Sequence, residues 1–463
     1  MARRQKGSSN IIILILAIAL LRGVLYAVLV PPWQAPDEPF HFEYVAELSN
    51  KYFPRPAASP SVQAETISSL ARWDFWRYHD QTVPNPLPWG FSAIPLFKTI
   101  RYLDRSPTYY YLMLPFYLLA ANQDIELRLY LLRLVNAVLG ALTVGIAYLT
   151  SRAVFPKDEH LSVGVAGFVA FFPMFSFISG SLNNDNLANL LFALFVLFYV
   201  KNLNEKPSLL YSALLVVTAF LALLTKRSTV SVAPLLLLFP PLVLFRNKPA
   251  GRRDFLWRAS GVLAGIVILS LLALKVWYST PLKAQIRNLL NFHYYLSDVA
   301  AKFVGFFGPN AWLRTRTNLA YLFQGFWGHY GWQNIPLDSY LYTILAVVSL
   351  LAVLGLVLSF LPKTGAGRLL KREQKISFLF LILAVITTVV IAFMRTTVLE
   401  FVPLQGRYIF PVLVPVAIIF VFGLNTLFLK KFQNAAVVAL LAGLVVLDLV
   451  SWASYLLPAH YLV

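Results

Sequence analysis

Cysteine is absent, which excludes a disulfide framework, a thiolate metal site and a cysteine nucleophile. Charge is scarce too: only 13% of residues are Asp, Glu, Lys or Arg, and 20 acids stand against 39 bases. No phosphate-binding glycine loop, dinucleotide-binding glycine fingerprint or zinc-ligand spacing occurs, so the common soluble nucleotide and zinc chemistries have no signature here. Internal repeats and low-complexity tracts are also missing. What is present is apolar. Hydrophobic residues make up 59% of the 463 positions and mean hydropathy is +0.68, which excludes a water-soluble core as the main architecture. Aromatics reach 15%, with 23 Tyr and 10 Trp, as suits a chain whose rings settle at many membrane interfaces.

The net charge of +19 is no sign of a nucleic-acid partner, because the basic residues form no single polar face and sit mostly in short connectors between apolar runs. They read as topology signals. Met1-Ala-Arg-Arg-Gln-Lys precedes an apolar run too long for a signal peptide and without a small-residue cleavage site, so that run is read as a retained first helix. Runs near the ~20 residues needed to cross the hydrocarbon fall at 11–31, 128–151, 161–181, 186–201, 208–225, 229–246, 257–279, 339–361, 376–394, 408–429 and 434–456. The expected fold is therefore all-α, a single polytopic transmembrane bundle over 1–463 with about eleven spans. A cytoplasmic N-terminus puts Arg152, Lys248, Arg252, Arg253, Lys363, Arg368, Lys371, Arg372, Lys375, Lys430 and Lys431 in inside connectors, as the positive-inside rule asks. Segment 107–121 decides the parity. It is too short and proline-interrupted to span, and counting it would turn the basic loops 247–256 and 362–375 outward, so it is read as juxtamembrane. Two long outer loops follow, 32–127 with juxtamembrane helices and 280–338, both too long for simple connectors.

Four constellations carry possible chemistry. Pro36-Asp37-Glu38-Pro39-Phe40-His41-Phe42-Glu43-Tyr44 lies directly outside the first span, with Asp37, His41 and Tyr44 on one helical face. Acids and an imidazole there suit general-base work on an acceptor hydroxyl or amine, or a metal. The plainer reading makes Asp37 the cap of an interfacial helix whose buried stripe is Phe40, Tyr44 and Leu48. Ser181-Leu182-Asn183-Asn184-Asp185-Asn186 joins two spans; its acid suits a sugar hydroxyl, while Asn, Asp and Ser are equally ordinary turn residues. The third set is cationic: Lys226, Arg227, Arg395, and Arg407 in Gln405-Gly406-Arg407-Tyr408. Cations at outer helix ends run against the inside bias, and clamping a phosphate or pyrophosphate is one reason for them; snorkelling to lipid phosphates is the other. Gly325-Phe326-Trp327-Gly328-His329-Tyr330-Gly331-Trp332 offers aromatic platforms for sugar faces or anchors for a loop in the interface.

Taken in order, these motifs resemble the GT-C superfamily of membrane glycosyltransferases, which includes protein mannosyltransferases and the aminoarabinose transferases of lipid A. Those enzymes carry an Asp-Glu or Asp-Asp pair just after the first membrane helix, where Asp37-Glu38 stands here, and use polyprenyl-phosphate sugar donors. Within the superfamily the chain most resembles a group of bacterial integral membrane proteins sharing a Pro-Asp-Glu-Pro-x-His element, an Asn-x-Asp turn, a Phe-x-Gly-x-x-Gly-Trp loop and a Gly-Arg-Tyr-x-x-Pro helix start. These are Pro36 to His41, Asn183 to Asp185, Phe326 to Trp332 and Gly406 to Pro411. The likeness spans nearly the whole chain, but each motif is short and only their combined order is specific.

The resemblance implies inverting transfer of a sugar at the outer face of a bacterial inner membrane. Asp37 is the implied base, with Glu38 or His41 positioning the acceptor, and Arg407 with Lys226 or Arg395 stabilises the leaving lipid phosphate. Tyr44, Asn183, Asp185, Trp327, His329 and Tyr408 are the implied substrate contacts. No cofactor is expected; Asp37, Glu38 and Asp185 are oxygen donors of the kind a divalent ion accepts, but an obligatory metal is not favoured. Expected partners are the polyprenyl-phosphate donor, a lipid-linked glycan, lipid or protein acceptor, and membrane lipids. A transporter or flippase of lipid-linked sugars is the rival reading, and a non-catalytic assembly subunit a third. Transporters tend to show repeated halves and midplane charges, neither of which is evident here.

Overall fold

The computed structural model describes residues 2–54, 60–98, 107–205, 208–246, 301–361, 370–400 and 404–462. The architecture is a helical membrane bundle. Among the described residues, seven helices are long and apolar enough to cross: Asn10–Leu29, Ile125–Val154, Asp185–Asn204, Ser339–Phe360, Arg372–Val398, Gly406–Thr426 and Lys430–Tyr461. The run expected at 161–181 forms two helices, Glu159–Ala170 and Pro173–Ser179, bent by 60°. Pro173 sits at the first helical position, where its missing N–H costs nothing but its ring cannot continue the preceding helix. Arg22 donates a hydrogen bond to the freed Ala170 carbonyl at this break and pairs with Asp448, tying the first span to the last. Leu209–Thr225 and Arg227–Phe239 are shorter apolar helices, and the expected span 257–279 lies outside the described residues.

Two spans are central. Asp185–Asn204 and Gly406–Thr426 are each 83% buried inside the protein, against 28% for Asn10–Leu29 and 22% for Lys430–Tyr461. Apolar residues on every side make a helix that belongs inside a bundle, and Asp185–Asn204 fits that rule with Leu187, Leu190, Leu191, Phe192, Phe195 and Val196 all buried. The central pair pack against each other near their starts, and Gly406 explains how closely the neighbours approach. A Cβ there would run into the backbone of Gly325 and Phe326, so the helix Ala311–Trp327 crosses the start of the Gly406–Thr426 span backbone to backbone. The Gly325 and Gly406 motifs thus meet in space.

The link between the first span and its neighbours holds two juxtamembrane helices, Glu38–Tyr52 and Val62–Arg72. Pro107–Leu119, at 13 residues, is ~20 Å long and too short for a ~30 Å hydrocarbon core. It lies along Glu38–Tyr52 with Tyr109, Tyr110, Met113 and Tyr117 buried. The buried residues of Glu38–Tyr52 are Glu38, Pro39, His41, Phe42, Glu43, Val45, Ala46 and Ser49, whereas the Phe40–Tyr44–Leu48 stripe expected of a simple amphipath is only half-buried. The reason is that Glu38 has a buried partner, which turns the acid inward and rotates the apolar stripe with it.

The only strands among the described residues are His329–Tyr330 and Ile335–Pro336, an antiparallel hairpin with Gly331 at φ 60° in its turn. It bonds back to the first loop, Trp332 Nε1 donating to the Trp33 carbonyl at 2.9 Å and Asn334 Nδ2 to the Tyr78 carbonyl at 2.8 Å.

Candidate active site

Glu38 and Arg133 form the foundation of the site. Both side chains are fully buried, and the guanidinium grips the carboxylate at both oxygens, Nε to Oε1 at 2.8 Å and Nη2 to Oε2 at 2.6 Å. Arg133 also donates to the carbonyls of Ala27 and Val30, at the end of the first helix, and to that of Pro31, which accepts from the Gln34 N–H as well. Glu38 accepts a further bond from the Leu182 backbone N–H at 2.9 Å. Six N–H groups, five from Arg133 and one from Leu182, thus weld the first helix end, the start of Glu38–Tyr52 and the 181–186 knot into one corner.

Asp37 sits at that corner. Its backbone is left-handed, φ 68°, a conformation non-glycine residues adopt at a cost and Asp better than most. It precedes a helix but makes no side-chain cap bond. Its carboxylate instead accepts from Arg407 Nη2 at 2.6 Å. Arg407 is itself oriented by Gln405, whose Oε1 accepts from Nε at 2.7 Å, and its Nη1 lies 3.7 Å from Asp185 Oδ2. Asp185 is completely buried and its other oxygen is 2.7 Å from Lys226 Nζ. The result is a chain of alternating charge, Asp37–Arg407–Asp185–Lys226, at the starting ends of the two central spans.

Burial alone would raise the Asp37 carboxyl, but the Arg407 guanidinium beside it and Lys226 hold it below the ordinary aspartate value, so it is ionised. Burial lowers His41 to about 3, with Lys226 and Arg407 adding to the effect and Asp37 opposing it. His41 is accordingly a neutral imidazole at physiological pH, with Nδ1 2.9 Å from the Tyr110 hydroxyl. Tyr44 packs edge-on against the same Tyr110 ring, centroids 4.3 Å apart.

The polar knot is no surface turn: Ser181, Asn183, Asn184, Asp185 and Asn186 are all buried. Asn183 reaches from the Asp185 N–H to the Pro36 carbonyl, fixing Asp185 relative to Asp37, and Asn186 bonds to Asn136 Oδ1, which Tyr109 also engages. Tyr408 follows Arg407, and Arg395, in the segment Met394–Glu400, is close enough for its charge to act on Tyr408. The expected aromatic platform lies elsewhere. Trp327 is 2% exposed and walled by Phe168, Phe172, Phe323, Phe326 and Phe420, and His329 is buried in the hairpin; among the described residues no hydrogen bond or ring contact joins either to the charge cluster. No group of three or more His, Cys, Asp or Glu with metal-binding geometry occurs among the described residues.

Two participants escape a reading of the sequence by motif: Arg133 and Asn136. Arg133 carries a signal, since a guanidinium inside an apolar run demands a buried partner, but nothing in the run says which acid.

The profile of a family described as "Predicted membrane protein (DUF2142)" matches residues 92–416, well over half of the chain. The chain belongs to that DUF2142 family. The match contains Asp185, Lys226, Arg395, Arg407 and Tyr408, while Asp37, Glu38 and His41 lie ahead of it. A search of curated protein sequences gives no match.

Solved structures similar to this DUF2142 member are GT-C membrane glycosyltransferases. The Archaeoglobus fulgidus oligosaccharyltransferase tethered to an acceptor peptide containing the NVT sequon is similar at a TM-score of 0.51 and 16% identity, over 94% of this chain and 54% of that one. The same archaeal enzyme with an inhibitory peptide and a dolichol-phosphate gives 0.48 and 15%, over 94% and 55%. ArnT from Cupriavidus metallidurans in the apo state gives 0.40 and 15%, over 90% and 78%. The chain spans about half the length of the archaeal enzyme. At such identity the likeness is one of fold, and the fold of this DUF2142 member is that of a GT-C polytopic membrane protein.

Proposed function

We propose that the protein is a membrane glycosyltransferase that moves a sugar from a polyprenyl-phosphate donor to an envelope glycan, lipid or protein acceptor at the outer face of the membrane. The observation that carries this reading is the contact between Asp37 and Arg407. Two residues 370 positions apart, one apt as a base and one as a phosphate clamp, are brought within 2.6 Å at the mouth of the two central spans. The GT-C fold supports it.

Arg407 and Lys226 are the seat of the donor phosphate. A phosphate that takes the Arg407 guanidinium separates it from Asp37, and the carboxylate loses the cation that holds its proton affinity down. Asp37 then accepts the proton of an acceptor hydroxyl as that oxygen bonds to the anomeric carbon. The bond from this carbon to the phosphate oxygen breaks, and its electron pair leaves with the lipid phosphate, where the cations stabilise the charge. Attack opposite the leaving group inverts the anomeric centre. Glu38 has both oxygens engaged by Arg133 and Leu182, so its role is to position Asp37. Neutral His41, with Tyr44 and Tyr110, lines the acceptor side, while Asn183, Asp185, Tyr408 and Arg395 support the seat. Trp327 and His329 act in packing, and no metal enters the scheme.

Binding tests the seat directly. Wild-type protein in nanodiscs is expected to prefer a polyprenyl monophosphate over the matching polyprenol, and Arg407→Gln to lose about 10- to 100-fold in affinity for the phosphate alone, the value of a charge-assisted pair. Equal affinity of wild type for phosphate and alcohol removes the lipid-phosphate donor from the account.

A further inference from the structure

One turn beyond the charge cluster, Asn189 is buried to 1% exposure, and neither its amide nitrogen nor its oxygen has a hydrogen-bond partner among the described residues. A buried carboxamide with both ends unmet is rare, because each unmet group forfeits its hydration without compensation. Its place on the helix gives a reason. Asp185 and Asn189 are four residues apart on Asp185–Asn204 and so share one face, the face that Asp185 turns toward Lys226 and Arg407. Four residues advance ~6 Å along the axis, away from the helix start that carries the cluster and into the span. Arg407 Nη1, the guanidinium nitrogen nearest Asp185, also makes no hydrogen bond among the described residues. Two unmet donors thus belong to this part of the helix, Arg407 Nη1 beside Asp185 and the Asn189 amide one turn deeper on the face that carries Asp185.

We infer that Asn189 belongs to the donor-binding site, its amide N–H groups holding a phosphoryl oxygen on the side from which the lipid tail enters and its carbonyl accepting a sugar hydroxyl. This rests on the donor reading above and adds to it a residue and a depth. A glycosyl phosphate satisfies both ends of a carboxamide at once, its phosphoryl oxygen accepting from the amide N–H and a sugar hydroxyl donating to the amide oxygen, whereas an alkyl chain satisfies neither. The site is then a two-tier seat, with cations at the helix start for charge and a neutral amide one turn down for shape.

The test uses the opposite signs that ligand and structure place on one substitution. Asn189→Leu replaces an unsatisfied amide with an apolar side chain of similar size, which is neutral or stabilising when the amide has no protein partner. The expected result is a thermal midpoint equal to or above wild type, together with polyprenyl-monophosphate affinity lower by on the order of 10-fold and unchanged partition of the matching polyprenol. Asn189→Asp, of the same volume, is expected to weaken the phosphate further by like-charge repulsion. A fall of several degrees in the midpoint of Asn189→Leu, or unchanged phosphate affinity in both variants, overturns the inference. A wild type that does not distinguish the phosphate from the alcohol overturns it along with the donor reading, whereas loss of phosphate preference only on Arg407→Gln leaves the donor reading standing without Asn189.

Discussion

Asp37→Asn is expected to lower sugar transfer by about 100- to 10,000-fold, the range that a positioned general base contributes, with little change in stability. The reason lies in what asparagine keeps. Its side-chain oxygen still accepts from Arg407 Nη2, so the contact, 2.6 Å in the wild type, survives as a hydrogen bond from the cation to a neutral acceptor, and the left-handed backbone at φ 68° is one that asparagine adopts readily. What is lost is the basic lone pair. With one acid gone from the alternating chain, Arg407 and Lys226 face a single anion, Asp185, so polyprenyl-phosphate affinity is expected to rise even as turnover falls. Initial rates and lipid-phosphate affinity of the same preparations, at equal folded amount, check both halves. A variant that transfers as fast as wild type ends the assignment of Asp37 as base.

The second large effect concerns folding. Arg133→Met is expected to destabilise the protein by about 3–5 kcal/mol, the usual result of removing one partner from a buried ion pair. Glu38 would be left as an uncompensated carboxylate at 0% exposure, and the carbonyls of Ala27 and Val30 would lose their donor. Glu38→Gln in the same background is expected to recover part of the loss, because the stranded charge is then gone while the bond from Leu182 N–H remains. Thermal unfolding of the two single variants and the double variant in one detergent checks the sign of this coupling. If the double variant is as unstable as the sum of the singles, the pair does not act as a unit.

Much of the fold was legible because a membrane imposes a long apolar period that no other environment requires. The run 186–201 needs only length and composition, and the structure gives it as Asp185–Asn204. The 60° break at Phe171 and Phe172 was harder. Pro173 marks it, but membrane helices tolerate proline when a neighbour re-satisfies the backbone, and only the structure shows Arg22 doing so at Ala170. The four residues of the charged chain were visible as oddities, acids and cations at helix ends, yet their pairing was not. Contacts between positions 37 and 407 depend on the crossing of Gly406 over Gly325, a tertiary fact with no local trace.

Two of the expected site residues are engaged elsewhere in the structure. Trp327 looked like a sugar platform because tryptophan is amphipathic, but five phenylalanines surround it and the same residue type serves packing equally well. Glu38 looked catalytic by adjacency to Asp37. Successive residues on a helix start point about 100° apart, and that rotation sends Glu38 into Arg133 while Asp37 turns to Arg407. Asn189 attracted no notice because a lone asparagine in an apolar run has no spacing to betray it.

The most direct measurement follows the sugar. Proteoliposomes of the wild-type protein, a panel of polyprenyl-phosphate sugars labelled in the sugar, and envelope lipid extract as acceptor would be sampled over time, with the label separated into donor, acceptor and free-sugar fractions. The account predicts that for one donor the label moves covalently into the acceptor fraction as unlabelled polyprenyl phosphate appears in equal amount. Label that stays on every donor of the panel, or a donor that crosses the bilayer with its sugar still attached, contradicts it.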